Sequence, residues 1–487
     1  MDVRAADAQL RSTIVLDSIS RFRLVPLEGT SVAVAHADEF GNGITVEAFD
    51  DSLGTRWKRS LSFGIGYPFW MGGGRGGIRL LYEINESADS ISIHGAVVDS
   101  RDGTTRIDRG ITGFGNPEGS SNVGAIDVAL SPDSSHIILF RYDYSGLRDS
   151  SDRSIELVAE LVDAGWNRLG SARLAIPVED STRSREQAEA RLTPISVGND
   201  GRLYQFGFQG SATLRVTRLD VRTGTARVLE SVIPGVDFRD TGRQLLGTRL
   251  SVGADQRVMV VAGRFDERKL QAMVLLGMDF DHDRIDYMKT IEVTPELARR
   301  RTGQNELEWF QLRDVIRLAD GGIVLPLEQV RPEEVRVRDY NYERDRTVMK
   351  PGTGGSMPTY TTPIPTFKYS HSVFLHGDLL MFGFNASGDS IWSITQYRRA
   401  VTSAGEYDRT DSWRVEGDSL HCIYRNAYPD EVVASTISTR TGAMSSPRPL
   451  LETTMNSEHQ HTTWFGPDNA LIVLSLLDKY RLVRITF

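Results

Sequence analysis

Residues 131–142 have the sequence SPDSSHIILFRY, a short polar turn followed by a run of β-branched, aromatic and other apolar residues. Asp133 can hydrogen-bond its own backbone, and the small polar residues beside it favour a tight turn. The run that begins at His136 is short and bounded by turn residues, which is typical of a strand buried on both faces. This segment therefore predicts a turn that leads directly into a buried β-strand.

Seven other stretches repeat this pattern, and together we call them the A–B turns. Glycine supplies positive φ in such turns, and Asp or Asn supplies an acceptor for the backbone. The eight turns lie at Leu27–Thr30, Gly72–Gly77, Ser131–Ser134, Gly198–Gly201, Gly253–Gln256, Ala319–Gly322, Glu416–Ser419 and Gly466–Asn469.

A second kind of turn alternates with the first, and we call it the C–D turn: an apolar residue, then Asp, Asn or Ser, then usually Gly. Its polar residues are separated by 49, 64, 57, 59, 106 and 53 residues, and the longest interval contains a long insertion at 331–370. Periods of this size predict a repeat architecture. The seven C–D turns lie at Phe49–Gly54, Val98–Gly103, Val162–Gly165, Leu219–Gly224, Met278–Asp283, Phe384–Gly388 and Ile437–Gly442.

The two series of turns predict an all-β fold, a β-propeller built from four-stranded units A to D. Eight blades are favoured, with seven as the alternative. The last unit begins at Glu458 and has three strands of its own, so we expect the N-terminal segment Ser12–Leu16 to supply the fourth and to close the ring, which removes exposed sheet edges. A single propeller domain is predicted over residues 10–487, and the 331–370 insertion is an arm between strands B and C.

Helix is scarce in the pattern. Thr294–Gly303 has a capping threonine, a proline at the first helical position and a terminal glycine, which predicts a short helix. Asp180–Arg191 is a second predicted helix. Both fall between blades.

The turn SPDS and its strand resemble a turn found in many β-propeller proteins. A second set of segments lies within about residues 309–426: Asp320–Ile323, Glu328–Gln329, Gly377–Trp392 and Leu420–Asn426. Through these segments the chain also resembles uncharacterised exported propeller-like proteins of Bacteroidota. Such relatives carry signal peptides, so the resemblance implies a periplasmic, outer-membrane-associated or extracellular mature chain, and it implies no activity. The N-terminus lacks the apolar core of a signal peptide, so a cytoplasmic location is the alternative.

Composition excludes several classes of protein. Apolar residues make up 40% and charged residues 25% of the 487, values of an ordinary globular protein. The net charge of −9, with basic residues scattered among acidic ones, argues against nucleic-acid binding. The single cysteine, Cys422, allows neither an intrachain disulfide nor a Cys-rich zinc site. No apolar run reaches the roughly 18 residues of a spanning helix.

The arm is the most individual feature, because a long insertion in a compact domain is usually functional or disordered. Tyr and Arg are favoured at protein interfaces. The candidate partner-binding residues of the arm are Arg338, Tyr340, Tyr342, Tyr360, Phe367 and Tyr369.

A second candidate site is the cluster Glu458, His459, His461 and Trp464, placed at the axial pocket of the ring. Two histidines at i and i+2 on a regular strand share one face, where they could hold a metal with a third ligand. No third ligand is identifiable, and structural or surface histidines are the favoured interpretation, as they are for the pair His371 and His376.

Other motifs have ordinary structural interpretations. Asp279, Asp281 and Asp283 suit a calcium ion, but Arg284 stands where such a loop needs glycine, so calcium is the less favoured interpretation and no cofactor is predicted. The glycines at 72–77 precede a strand and not a helix, which argues against a dinucleotide site. Residues 387–392 resemble a structural Asp-box, whose tryptophan is expected to pack between blades, as is Trp57.

These features favour a non-enzymatic binding or scaffold protein that contacts another macromolecule, a protein above all, through its face loops and arm. A subunit of a cell-envelope assembly is one form of this hypothesis. The alternative is a carbohydrate-active hydrolase or lyase with its site in the axial pocket. The common hydrolase, zinc-protease and phosphate-loop signatures are absent from the sequence.

Overall fold

In the residues that it describes, the computed structural model has eight β-sheets, which confirms the prediction of an all-β propeller. The sheets follow one another along the chain, and each is an antiparallel meander. The residues that the structure describes are 9–16, 22–27, 31–37, 43–50, 52–62, 67–74, 77–87, 90–115, 126–144, 154–177, 195–209, 212–233, 248–253, 255–339, 366–398, 400–402, 411–427, 430–452, 457–465, 469–476 and 479–486.

Each of the first four sheets has four strands in sequence order. The first sheet contains β2 (Phe22–Pro26), β3 (Val32–Ala37), β4 (Gly43–Phe49) and β5 (Thr55–Ser62), and the second contains β6 (Tyr67–Gly74), β7 (Gly77–Ser87), β8 (Ser90–Asp99) and β9 (Thr105–Gly115). The third contains β10 (Asp127–Leu130), β11 (His136–Asp143), β12 (Ser154–Asp163) and β13 (Arg168–Pro177), and the fourth contains β14 (Ser196–Val197), β15 (Leu203–Gln209), β16 (Thr213–Asp220) and β17 (Thr225–Val232).

The fifth and sixth sheets carry extra strands. The fifth contains β18 (Thr248–Val252), β19 (Val258–Asp266), β20 (Lys269–Asp279) and β21 (Arg284–Glu292), with β22 (Leu307–Glu308) paired to β20. The sixth contains β23 (Phe310–Leu312), β24 (Ile316–Arg317), β25 (Ile323–Asp339), β26 (Thr366–Phe384), β27 (Ser390–Gln396) and β28 (Ala400–Thr402).

The last two sheets again have four strands each. The seventh contains β29 (Asp411–Glu416), β30 (Ser419–Ala427), β31 (Asp430–Ser438) and β32 (Arg448–Glu452). The eighth contains β33 (Ser457–Phe465), β34 (Asn469–Leu476), β35 (Lys479–Thr486) and the N-terminal strand β1 (Gln9–Leu16).

The N-terminal strand lies in the same sheet as the C-terminal one. β1 pairs antiparallel with β35, with Ile14 opposite Leu482 and Val15 opposite Arg481. The eighth sheet therefore joins the two ends of the chain. Its first strand, β33, also contacts β2 of the first sheet.

The core consists of layers between neighbouring sheets. Each apolar cluster takes side chains from two consecutive sheets, such as Ile138 and Leu161 of the third packed with Leu203 and Leu219 of the fourth. Both faces of a blade are buried in this way, because its second and third strands are apolar at successive positions. The sheets thus stabilise one another by burying apolar surface.

The predicted turns connect the expected strands. The SPDS turn joins β10 to β11, and Ser131 Oγ donates to Asp133 Oδ1 at 2.7 Å. At the C–D turns, glycines such as Gly103 and Gly442 have φ of 73° and 70°. The local chemistry of Asp and Gly therefore sets the meander.

The helix predicted at Thr294 is confirmed as α1 (Pro295–Thr302). Thr294 Oγ1 accepts a hydrogen bond from the Leu297 amide at 3.1 Å, and Gly303 closes the helix with φ of 74°. The other predicted helix, Asp180–Arg191, lies outside the described residues. The limits of the predicted domain, 10–487, stay a prediction.

Candidate functional site

The arm is an outgrowth of the sixth sheet. Its second and third strands, β25 and β26, are 17 and 19 residues long, and they stay paired beyond the blade from Arg331 opposite Leu375 to Asp339 opposite Thr366. Nine such pairs, at about 3.4 Å per residue, make a ribbon about 30 Å long. The insertion therefore begins and ends as a continuous two-stranded ribbon.

A bulge separates the blade from the ribbon. The register shifts between Glu328 and Val330, which face Leu379 and His376 on β26. Bulges bend a strand and interrupt the ladder. Just beyond the bulge, β28 pairs with β26 on its other side, so the base of the ribbon has three strands.

A buried carboxylate lies at this bulge. Glu328 is 0% exposed, and its carboxylate is contacted by the guanidinium groups of Arg313 and Arg398. His376 donates from Nδ1 to Glu328 Oε1 at 2.8 Å. We call these four residues the arm-base cluster. Arg313 directly follows β23, and Arg398 lies two residues after β27. Glu328 lies on β25 and His376 on β26. The cluster therefore connects four segments of the sixth sheet.

The electrostatics of the cluster favour an ionised carboxylate. Burial by itself raises the pKa of Glu328, but the attraction of Arg398, the hydrogen bond from His376 and the attraction of Arg313 outweigh it. The pKa of Glu328 therefore lies well below its usual range. A buried carboxylate that stays charged is costly to separate from its partners, so the cluster holds the base of the arm in one geometry.

A cavity of about 640 Å³ adjoins the arm-base cluster. Arg398 donates from Nε to the Gly377 carbonyl at 3.2 Å, and Tyr397, 68% exposed, lies at the rim. A side chain at position 377 would meet Gln329 Oε1 at 2.5 Å, so the Gln329 side chain would have to move to admit it. The cavity is lined by Thr302, Gln304, Gln329, Gly377, Asp378, Tyr397, Arg398 and Asn426. It brings together the end of α1, the base of the arm and the seventh sheet.

The predicted arm residues are only partly placed. Arg338 pairs with Phe367, and Tyr369 pairs with Val337, so these three lie in the ribbon. Tyr340, Tyr342 and Tyr360 lie outside the described residues. Partner binding by these six residues stays a prediction.

The predicted axial cluster lies on β33, where the register differs from a regular strand. His459 faces Leu474, and His461 faces the adjacent Val473, because a bulge lies between them. The regular alternation that supported a shared face is therefore interrupted, as one inserted residue shifts the pattern. Trp464 Nε1 donates to Ser412 Oγ of the seventh sheet at 2.7 Å, so this side chain packs between blades. The proposed role of Glu458, His459 and His461 stays a prediction.

The three aspartates for which calcium was the less favoured interpretation face different partners. Asp279 accepts from His282 Nδ1 at 2.6 Å, and Asp281 accepts from Arg218 at 2.8 Å. Asp283 forms an ion pair with Arg227, with 3.7 Å between Oδ1 and Nη1. Within the described part of the chain, no three His, Cys, Asp or Glu residues are grouped to hold a metal ion.

Two tryptophans link neighbouring blades as the sequence predicts. Trp57 Nε1 donates to the Ser100 carbonyl at 3.0 Å, and Trp392 Nε1 donates to the Thr439 carbonyl at 2.7 Å. Each indole lies on a C–D turn glycine, and a side chain at position 442 would approach Trp392 to 2.8 Å. The glycine cluster at 72–77 joins two strands, β6 and β7, as expected of an A–B turn.

The arm-base cluster is the feature that the sequence interpretation missed. His376 was considered only as half of a histidine pair, and neither Arg313 nor Arg398 was singled out. One signal was present: Glu328 interrupts the apolar run Ile323–Val330. Charged residues are rarely buried without a partner, so a glutamate inside a buried strand predicts an ion pair, although it does not say with which residue.

No protein-family model matches the sequence, and no curated protein matches it. The resemblance to exported proteins of Bacteroidota is therefore not supported by any matching sequence.

The fold is similar to that of several solved structures. A europium-containing methanol dehydrogenase is 10% identical, with a TM-score of 0.46 over 99% of this chain and 93% of that one. The quinohemoprotein alcohol dehydrogenase from Comamonas testosteroni is 10% identical, with a TM-score of 0.45 over 99% and 76%. The β-propeller domain of the Trilobed protease from Pyrococcus furiosus is 7% identical, with a TM-score of 0.38 over 87% and 96%. No activity is transferred from any of them.

Among the described residues there is no helix of the length and apolar character needed to cross a bilayer.

Proposed function

We propose that the chain is a non-enzymatic binding or scaffold protein, a closed propeller of eight blades that presents its arm and face loops to a protein partner. Eight sheets in series, the pairing of β1 with β35 and the contact between β33 and β2 support the closed ring. A rigid ring holds its loops in fixed positions, which suits recognition.

The observation that carries the proposal is the anchored arm. The ribbon continues two blade strands, β28 adds a third strand at its base, and the arm-base cluster ties it to the sheet. An arm held in one geometry loses less conformational entropy on binding than a free loop. The exposed Tyr397 beside the arm base adds an aromatic group of the kind that interfaces favour.

The location belongs to the same proposal. We place the chain in the periplasm, at the outer membrane or outside the cell, within a cell-envelope assembly; the single cysteine and the net charge of −9 are compatible with this location. Fractionation of cells that express the full gene tests this part separately.

The functional experiment places a photo-crosslinking amino acid at Tyr369 in the arm, in the protein's native cells. A matched control carries the same group at Val232, which is 64% exposed on the fourth sheet. We expect a discrete cross-linked partner from position 369 and none of the same mass from position 232. A variant that lacks residues 333–368 should keep the melting temperature of the wild type but no longer bind the partner. Equal recovery of partners by the deletion variant and the wild type would contradict the proposed role of the arm.

A further inference from the structure

A second cavity, of about 490 Å³, lies between the second and third sheets, away from the arm. Its volume falls within the range of small-molecule sites, roughly 300–1,000 Å³. Phe114 of β9 forms one wall, side chains of the third sheet form the other, and Gly224 of the fourth sheet also lines the cavity. Arg141 faces Val158, which faces Arg173, so one cross-strand row of the third sheet lines the cavity.

The cavity contains three guanidinium groups, and two of them are paired. Arg168 binds Glu160 through two hydrogen bonds of 2.7 and 2.9 Å. Arg173 donates to Glu156 at 2.7 Å. The two-point pairing of Arg168 with a carboxylate matches the geometry of a guanidinium group.

Arg141 differs from the other two. It is 8% exposed, its Nε has no hydrogen-bond partner, and its Cζ lies 5.3 Å from the centre of the Phe114 ring. The nearest carboxylate that the described residues offer is Asp143, at 4.0 Å from Nη2. An arginine stays charged under all ordinary conditions, and a buried charge is expensive without a close partner.

Within the described part of the chain, the same chemistry occurs at a second place, with a carboxylate in position. Arg218 is 7% exposed, and its Cζ lies 5.3 Å from the centre of the Phe280 ring. There Asp281 accepts from Arg218 Nη1 at 2.8 Å. The comparison indicates what completes a guanidinium that is stacked on a phenyl ring in this fold: an oxygen anion at hydrogen-bond distance.

We propose that the cavity between the second and third sheets binds a small organic carboxylate, with Arg141 as its anchor. Of the three guanidinium groups, Arg141 is the one without a carboxylate at hydrogen-bond distance, and a single carboxylate would complete it as Asp281 completes Arg218, so a monocarboxylate fits better than a phosphate dianion. The volume exceeds that of a bare ion and suits a ligand of monosaccharide size. The site is independent of the arm, so its test does not bear on the proposed partner binding.

The test is titration calorimetry of the wild-type chain with sodium D-glucuronate, sodium acetate, D-glucose and sodium phosphate, at an ionic strength held constant with sodium chloride. Glucuronate and glucose form a matched pair, because the sugar acid has a carboxylate where glucose has a hydroxymethyl group. We expect glucuronate to bind more tightly than acetate, and glucose to show no saturable binding. The inference is wrong if neither carboxylate binds, if glucose equals glucuronate, or if phosphate binds more tightly than both.

Variants locate the site. Arg141→Met should weaken glucuronate binding by about 10- to 100-fold, the loss expected for hydrogen bonds to a charged group. Arg141→Lys keeps the charge without the planar fork and should give an intermediate loss. Arg218→Met removes a buried guanidinium elsewhere and should leave the affinity unchanged. Unchanged affinity in both Arg141 variants, or an equal loss in Arg218→Met, would overturn the assignment.

Discussion

Replacing Glu328 with glutamine tests how the base of the arm is held. At an effective dielectric constant of about 20, two unit charges about 4 Å apart attract by about 4 kcal/mol, so the two arginines together contribute about 8 kcal/mol. Dehydration of a buried carboxylate offsets several kcal/mol of this. Because Arg313 and Arg398 stay buried in the variant, we expect Glu328→Gln to lower the free energy of unfolding by about 3–5 kcal/mol.

The pH dependence gives the same prediction a second readout. The pKa of Glu328 is depressed in the folded protein, so its stabilising contribution is complete above its unfolded pKa, about 4.3. This contribution is lost as the pH falls towards the lower pKa that Glu328 has in the folded protein. Over that range the unfolded chain binds a proton at Glu328 and the folded protein does not. The stability difference between wild type and Glu328→Gln should therefore shrink below about pH 4.3.

The assay is urea unfolding followed by tryptophan fluorescence from pH 7 to pH 3, with hydrogen exchange of β25 and β26 in parallel. Glu156→Gln is the control, since Glu156 and its partner Arg173 are exposed and such pairs contribute at most about 1 kcal/mol. The account of the arm-base cluster would be refuted if Glu328→Gln lost no more free energy of unfolding than Glu156→Gln. It would also be refuted if the stability difference between wild type and Glu328→Gln did not change with pH.

Three further changes test the packing of the ring. Trp392→Ala should lower the free energy of unfolding in urea titrations by about 3–5 kcal/mol, because the indole is buried between two blades. A loss below about 1 kcal/mol would contradict that role. Gly442→Ala should lower the melting temperature, since the φ of 70° at this position and the contact with Trp392 both oppose a side chain. An unchanged melting temperature would show that the turn adapts. Thr294→Ala should lower the free energy of unfolding by about 1 kcal/mol in the same titration, and Thr294→Ser should lower it by less. Equal effects of the two substitutions would argue against a capping role for Thr294.

The sequence predicts the turns and the short helix because their chemistry is local. Asp133 bonds its own turn, and Thr294 caps the helix three residues before Leu297. The arm-base cluster is different, since Glu328 and Arg398 are 70 residues apart and meet only through the pairing of four segments. No local pattern encodes such a pairing.

The bulge on β33 shows the same limit at the candidate axial site. An i, i+2 spacing predicts a shared face only on a regular strand, and the register between His459 and His461 is not regular. Whether a strand contains a bulge depends on its partner, here β34. The cavity at Arg141 also escaped prediction, because its lining comes from three sheets.

The proposed closure of the ring can be tested by one engineered disulfide. Val15 and Arg481 are paired across β1 and β35, and antiparallel partners lie about 4.5–5.5 Å apart between Cα atoms, within the range of a disulfide. In a Cys422→Ser background, V15C with R481C should form an intramolecular bond on mild oxidation and raise the melting temperature, while V15C with R484C, three positions out of register, should not. Failure of the first pair to cross-link, or equal cross-linking of the second, would contradict the closed ring.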